Sequence, residues 1–251
     1  QILLFHMSGR RQSVTAQIQR TARRFSAALV PQLTKLDTLP ILDKIRGVEI
    51  RINNFSTYAT AQQQYILHNS VQFAPIEFDI FSLEDGRPIL SASLYPEEIV
   101  VNEGQKRIIA LSLNEDDAIG THIAHIKHPV SGMKVYEINE NSTEELSIRS
   151  CSEDSEEYRL KAIEEGLAAL FFSCGCSYTK SKWEMKKLVR TVATIAPKKS
   201  FFSENAMTAS WVSDVDNETR LVALSSAIVQ LIREGYPAVL HIIKEFHVRH
   251  G

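Results

Sequence analysis

Cysteine is too scarce in this chain to hold a fold together. Three cysteines in 251 residues is an odd and low count; it excludes a disulfide framework and points to a reducing intracellular compartment, cytoplasm or nucleus. Glycine is sparse as well, at ten residues, which leaves few tight backbone cradles for phosphates. Apolar runs such as LAALFF at 167–172 fall far short of the roughly 18–20 residues that a membrane helix needs. There is no G-x-S-x-G, C-x-x-C, H-E-x-x-H, P-loop or G-x-G-x-x-G, so no complete catalytic or cofactor motif supports an enzyme. Neither a cofactor nor a bound metal is expected. The chain opens on Gln1, and Met7 is read as its natural start.

What is present is segregated charge. The formal net charge is only −2, yet no acidic residue precedes Asp37, while Arg10, Arg11, Arg20, Arg23, Arg24 and Lys35 all do. Ten carboxylates between Glu137 and Glu165 then outweigh Arg149, Arg159 and Lys161. From Lys180 to Lys199 the sign reverses, with Lys182, Lys186, Lys187, Arg190, Lys198 and Lys199 in a stretch holding the single acid Glu184. Charge blocks of this kind are read as interaction surfaces.

Hydrophobic spacing gives the elements. Val14, Ile18, Ala22, Phe25 and Leu29 recur at helical intervals before Pro31, which predicts an amphipathic helix with its arginines on the opposite side. From VEIRI at 48–52 the period becomes two, and short alternating runs separated by turn signals continue to residue 150. Beyond that point the spacing predicts helices. One runs behind Asp154 with Leu160, Ile163, Leu167, Leu170 and Phe171 inward. A second runs through KSKWEMKKLVRTVATI with Met185, Leu188, Val189, Val192 and Ile195 inward. A third starts near Asn217 and stops at GYP, and a fourth starts at Pro237. The expected fold is therefore α+β: a basic N-terminal arm (1–46), an antiparallel sheet, meander or small barrel-like (47–150), and a C-terminal helical bundle packed on it (151–251).

The sharpest local chemistry is FFSCGC at 171–176 and HIAHIKH at 122–128. Cys174 and Cys176 read as a helix end capped by Gly175, because a metal site would need a further close ligand pair. On a regular strand His122 and His128 share a face about 20 Å apart while His125 points the other way, so the three do not converge.

The basic residues carry the functional expectation. Arg10, Arg11, Arg20, Arg23 and Arg24 on the arm, with Lys182, Lys186, Lys187, Arg190, Lys198 and Lys199 on the Lys-rich helix, suit a polyanion, with nucleic acid first. Trp183, Phe201 and Phe202 would supply aromatic faces beside them. The reading is a non-enzymatic binding or structural protein, of the type a viral or phage assembly uses, and a candidate homo-oligomer. Two alternatives stand beside it. One is an interaction subunit whose arm pairs with segment 137–165 of a neighbour. The other is a metal-dependent enzyme built on His122, His125, Cys174 or Cys176. Contact of the arm with a membrane surface and organelle targeting by the Arg-rich segment fit the same composition.

Overall fold

The computed structural model of this protein describes residues 35–113, 122–152, 157–164, 172, 177–179, 181–198 and 204–250. Twelve strands follow one another along the chain: β1 Gly47–Ile52, β2 Ile76–Ser82, β3 Pro88–Leu94, β4 Ile99–Glu103, β5 Lys106–Leu113, β6 His122–Lys127, β7 Lys134–Ser142, β8 Glu145–Ser150, β9 Glu157–Glu164, β10 Ser181–Lys187, β11 Arg190–Pro197 and β12 Ala206–Trp211. Each pairs antiparallel with its sequence neighbours, and β1 pairs with β12, so the sheet closes into an up-and-down barrel without edges. Gly47 stands at the closing seam, where a Cβ would lie 2.6 Å from the Ala209 carbonyl oxygen. Only glycine lets the two backbones come that close.

Alternation is clearest in β2. In β2 the residues Ile76, Phe78, Ile80 and Ser82 are buried while Glu77, Asp79 and Phe81 lie on the other face. The inward rows need a partner to pack against, and the C-terminal segment supplies it. Helix α2, Asn217–Gln230, is buried at every residue from Thr219 to Gln230. It touches β11, β12 and β1 on one side and β6 on the opposite side of the ring, so it runs down the lumen. Fourteen residues span about 21 Å at the helical rise, a length matched to the barrel wall. A helix buried on all faces must be apolar or small all round, and LVALSSAIV is. Ser225 and Ser226 satisfy their hydroxyls on the carbonyls of Leu221 and Val222 at 2.8 and 2.7 Å.

Polar anchors hold the helix at both ends. At its N-terminus Asp216 accepts from the Thr219 N–H at 2.6 Å. Burial works to raise the Asp216 carboxyl, but its hydrogen bonds to Thr219 and the charges of Lys187 and Arg220 outweigh it and hold the pKa below the ordinary value. Buried Arg220 donates to the Leu42 carbonyl and Asp43 at 2.8 Å and to the Ser213 carbonyl at 3.0 Å, pinning a short 3-10 turn, Pro40–Lys44, over this end. At the other end α2 loosens into a π-type turn, Leu231–Gly235. There Arg233 meets Glu140 at 2.9 Å, Glu234 accepts from Trp183 Nε1 at 3.0 Å, and Tyr236 donates to the Asn205 carbonyl at 3.0 Å. Two further helices, α1 Phe55–His68 and α3 Pro237–His250, pack on each other through Tyr65 and His241.

The closed barrel overturns the expected α+β arrangement of a sheet carrying a C-terminal helical bundle. Helices α2 and α3 form where their spacing predicts them, but 157–164 and 181–197 are strands, and β8 and β9 pair side by side across residue 150. In β9 the inward residues are Tyr158, Leu160 and Ala162; in β10 they are Trp183 and Met185. Leu188 and Val189, expected inward, form the tip of the β10–β11 hairpin and are 89% and 96% exposed. Leu188 holds a φ of 57° there, a conformation that costs a non-glycine residue about 1–2 kcal/mol. The remainder of the expected helix behind Asp154, with Leu167, Leu170, Cys174 and Cys176, and the expected helix over 14–29 lie outside the described residues, whereas the end of the arm, from residue 35, is described and carries the Pro40–Lys44 turn.

Two outcomes test this packing. Leu224, fully buried in the lumen, loses about 2–5 kcal/mol on Leu224→Ala, whereas Leu188→Gly raises stability by up to about 1 kcal/mol; urea titration of the two variants checks the pair. The second concerns Glu234, whose carboxyl is raised by burial and only partly drawn back by its hydrogen bonds to Thr179 and Trp183 and by the charge of Arg233. Below its ordinary value of 4.5 the group is neutral in both states. As pH rises through that value the unfolded chain ionises first, so native stability falls until the raised native pKa is passed. Glu234→Gln keeps an acceptor for Trp183 and removes the charge. Its urea midpoint therefore matches the parent's near about pH 4 and exceeds it near about pH 8.

Candidate functional site

The barrel redistributes the basic residues of 180–199. Lys182 and Lys186 lie on the outer face of β10, but Lys187 turns to the mouth, 3.8 Å from Asp216 and 5.4 Å from the centre of the Tyr158 ring. Arg190 donates to both carboxylate oxygens of Asp214 at 2.5 and 2.7 Å, which lowers that carboxyl's pKa. Lys198 donates to both carboxylate oxygens of Glu49 at 2.8 Å. It lines a groove of about 400 Å³ together with Glu49, Asp79, Glu204 and Arg51, a setting with more acid than base. Trp183 points inward and offers no aromatic face to a ligand. Lys187, Arg190 and Lys198 are thus engaged by the protein's own carboxylates. Arg10, Arg11, Arg20, Arg23, Arg24, Lys199, Phe201 and Phe202 lie outside the described residues.

A different basic surface is assembled on the outer wall of β8–β10. Outward positions there carry Arg149, Arg159, Lys161, Lys182 and Lys186, with Glu145, Glu157 and Glu184 among them. Arg159 stands directly opposite Lys186 in the register, and Lys161 opposite Glu184. The carboxylates that offset them are loosely held: Glu157 is 3.8 Å from Arg149 and 3.7 Å from Arg159, and Glu184 is 3.8 Å from Lys186. Exposed ion pairs of this kind contribute about 0–1 kcal/mol. Arg149, Arg159 and Lys161 are the residues that the sequence reading passed over, since they fall inside the acid-rich stretch. For Arg159 and Lys161 the signal is the period of two in EYRLKAI, where they alternate with Tyr158, Leu160 and Ala162.

The acid-rich stretch itself is not one surface. Glu140 turns to Arg233 at the barrel mouth, Glu157 lies between two arginines, and Glu137 lies beside His122. Its remaining acids include Glu153, Asp154, Glu156 and Glu165, outside the described residues.

The histidines are arranged otherwise than a regular strand predicts. Between His122 and Ala124 the register of β6 against β7 shifts by one residue. A bulge of this kind inserts an extra residue, so positions three apart come to the same face. His122 Nε2 lies 2.9 Å from His125 Nδ1, with ring centroids 3.9 Å apart. His128 has a separate role, its Nδ1 accepting from the Val130 and Ser131 N–H groups at 3.3 and 3.2 Å in the following turn. Cys174 and Cys176 lie outside the described residues. Cys151 is exposed, and partial desolvation with the nearby Glu137 charge raises its thiol pKa against the opposing pull of Lys134.

Among the described residues no helix is long and apolar enough to cross a membrane. The wall bears on the strands: charged side chains face outward and the lumen is packed with apolar ones, the reverse of a lipid-spanning barrel. No protein-family model, no curated protein and no solved structure matches this chain.

Proposed function

We propose that this protein is a non-enzymatic binding scaffold that holds a nucleic-acid backbone against the outer wall of β8–β10. The observation that carries the reading is the pair Arg159 and Lys186, two cations directly opposite each other on adjacent strands. Like charges so placed destabilise a sheet, and a phosphate bridging them would turn that repulsion into attraction. Lys161 is the next outward residue to Arg159 on β9, about 6.7 Å away along the strand, while Arg149 lies diagonally across on β8 and Lys182 beyond Glu184 on β10. The lumen is filled by α2, which leaves the outside of the barrel as the surface for a large partner. With Trp183 turned inward, the support is for contacts to phosphates and not for stacking on bases. The arginines of 10–24 add five cations to the same reading by composition.

A second reading rests on the exposed tip of the β10–β11 hairpin. Leu188 and Val189 project from the barrel beside Lys186, a combination that also suits the interface of an anionic membrane.

Labelled duplex DNA and RNA titrated over a salt series distinguish these. The wall reading expects binding whose logarithm falls linearly with the logarithm of salt concentration, and a double variant Arg159→Ala, Lys186→Ala that lowers the slope by about 2. Affinity and slope unchanged in that variant would overturn it. Vesicles of anionic lipid form the other arm, where loss of binding in Leu188→Ser, Val189→Ser with nucleic-acid affinity intact would favour the membrane. Without any ligand, Lys186→Glu is expected to stabilise the fold by about 0.2–1 kcal/mol by relieving the repulsion with Arg159, which thermal unfolding measures.

A further inference from the structure

The geometry points to a divalent transition-metal site on the outer face of β6 and β7, formed by His122, His125 and Glu137. It shares no residue with the basic wall and stands without that reading. One ligating atom from each of the three lies within 4.8 Å of the others. Two features of the fold bring them together. The bulge in β6 turns His122 to the face of His125, and Glu137 is the direct cross-strand neighbour of His125 on β7.

The dimensions suit a small ion. Zinc binds imidazole nitrogen at about 2.0–2.1 Å, so two nitrogens on a tetrahedral ion stand about 3.3 Å apart. His122 Nε2 and His125 Nδ1 are already 2.9 Å apart and need to open by only a few tenths of an ångström. Glu137 Oε1 is 3.5 Å from the other nitrogen of the His122 ring, within reach by rotation of a side chain that is 43% exposed.

The surroundings fit the ligands' needs. A metal-bound histidine normally donates its second ring N–H to a carbonyl or carboxylate oxygen, which fixes the tautomer. Asn139, the cross-strand neighbour of His122, places Oδ1 at 3.3 Å from His122 Nδ1, which assigns the proton to Nδ1 and leaves the Nε2 lone pair for an ion. On the other side, Ser112 of β5 is the cross-strand neighbour of His125. Ser112 is 1% exposed, and its Oγ has no hydrogen-bond partner among the described residues. A buried hydroxyl left unpaired costs about 1–3 kcal/mol. Beside an occupied site it would gain a partner in water or another oxygen ligand carried by the ion.

The donor set decides the class of metal. Two imidazoles and one carboxylate suit zinc, cobalt, nickel or copper, whereas calcium and magnesium prefer oxygen throughout. Three protein ligands leave at least one coordination position for water or an external group, unlike the closed four-ligand sites that serve structure alone.

Equilibrium dialysis of the chelator-treated full chain against Zn²⁺ tests the proposal, with Co²⁺ as a coloured probe and Mg²⁺ as a control. The expected result is one equivalent of Zn²⁺, visible absorption from Co²⁺ in a site of low coordination number, and no retention of Mg²⁺. Glu137→Gln and His122→Gln should each weaken Zn²⁺ binding at least about tenfold and abolish the rise in melting temperature that Zn²⁺ produces in the parent. His241→Ala, a histidine engaged with Tyr65, should leave both unchanged. Glu137 faces outward, so Glu137→Gln alone decides the matter if the histidine variant fails to fold. Absence of stoichiometric Zn²⁺, or binding that Glu137→Gln leaves intact, would overturn the site.

Discussion

Burial of α2 on all its faces is the constraint from which the rest of the structure follows. A helix of fourteen residues with twelve buried in succession needs a closed wall around it, because an open sheet or a helical bundle would leave part of its apolar surface in water. The wall has the same need from its own side. Twelve strands enclose more space than their side chains can fill, and an unfilled lumen forfeits packing along every strand. Helix and barrel are therefore one cooperative unit. Leu221, Leu224 and Ile228 of α2 belong to a single core with Ile50, Ile80, Leu111, Leu160 and Ile195 of the wall.

The same constraint sorts the polar chemistry. A charge inside needs partners, and several at the ends of α2 have them: Arg220 with Asp43 and two carbonyls, Arg233 with Glu140, Lys187 with Asp216. These contacts fix how far the helix enters the barrel and consume cations that in sequence look available to a ligand. Gln230 marks the limit of the arrangement, since both polar atoms of its fully buried amide lack a partner among the described residues. It immediately precedes the π-type turn, where the regular ladder of α2 is already interrupted.

How much of this the sequence reveals depends on where the turns carry their usual residues. The strands from 47 to 150 are legible because glycine or polar clusters punctuate them, as at Gly86 and Gly104, both with positive φ. The β10–β11 hairpin is not legible. Its turn is Leu188-Val189, with Leu188 in a left-handed conformation that normally calls for glycine or asparagine. Met185, Leu188, Val189, Val192 and Ile195 then imitate helical spacing, although only Met185, Val192 and Ile195 are buried. The chain between 217 and 230 reads correctly as a helix, and its lack of a polar face is the one sequence signal of a lumen position. That signal carries no information about the strand number of the wall. The candidate sites show a similar division. Arg159 and Lys161 are visible through alternation, but their juxtaposition with Lys186 depends on a register that only the closed barrel sets.

The histidine pair shows why the outer wall is where chemistry accumulates. A one-residue bulge in β6 leaves the lumen side intact, since Ala124 and Ile126 still face inward. On the outside it brings His122 from the face opposite His125 to the same face, a change of partners that alternation alone forbids. Lumen positions cannot be varied in this way, because each is packed against α2 and a change of volume is felt through the core. Outer positions have no such packing partner in the helix. Bulges, like-charge pairs and unsatisfied hydroxyls can therefore persist on the wall at a cost of a few kcal/mol or less, provided that the plugged barrel beneath them supplies the stability they give up.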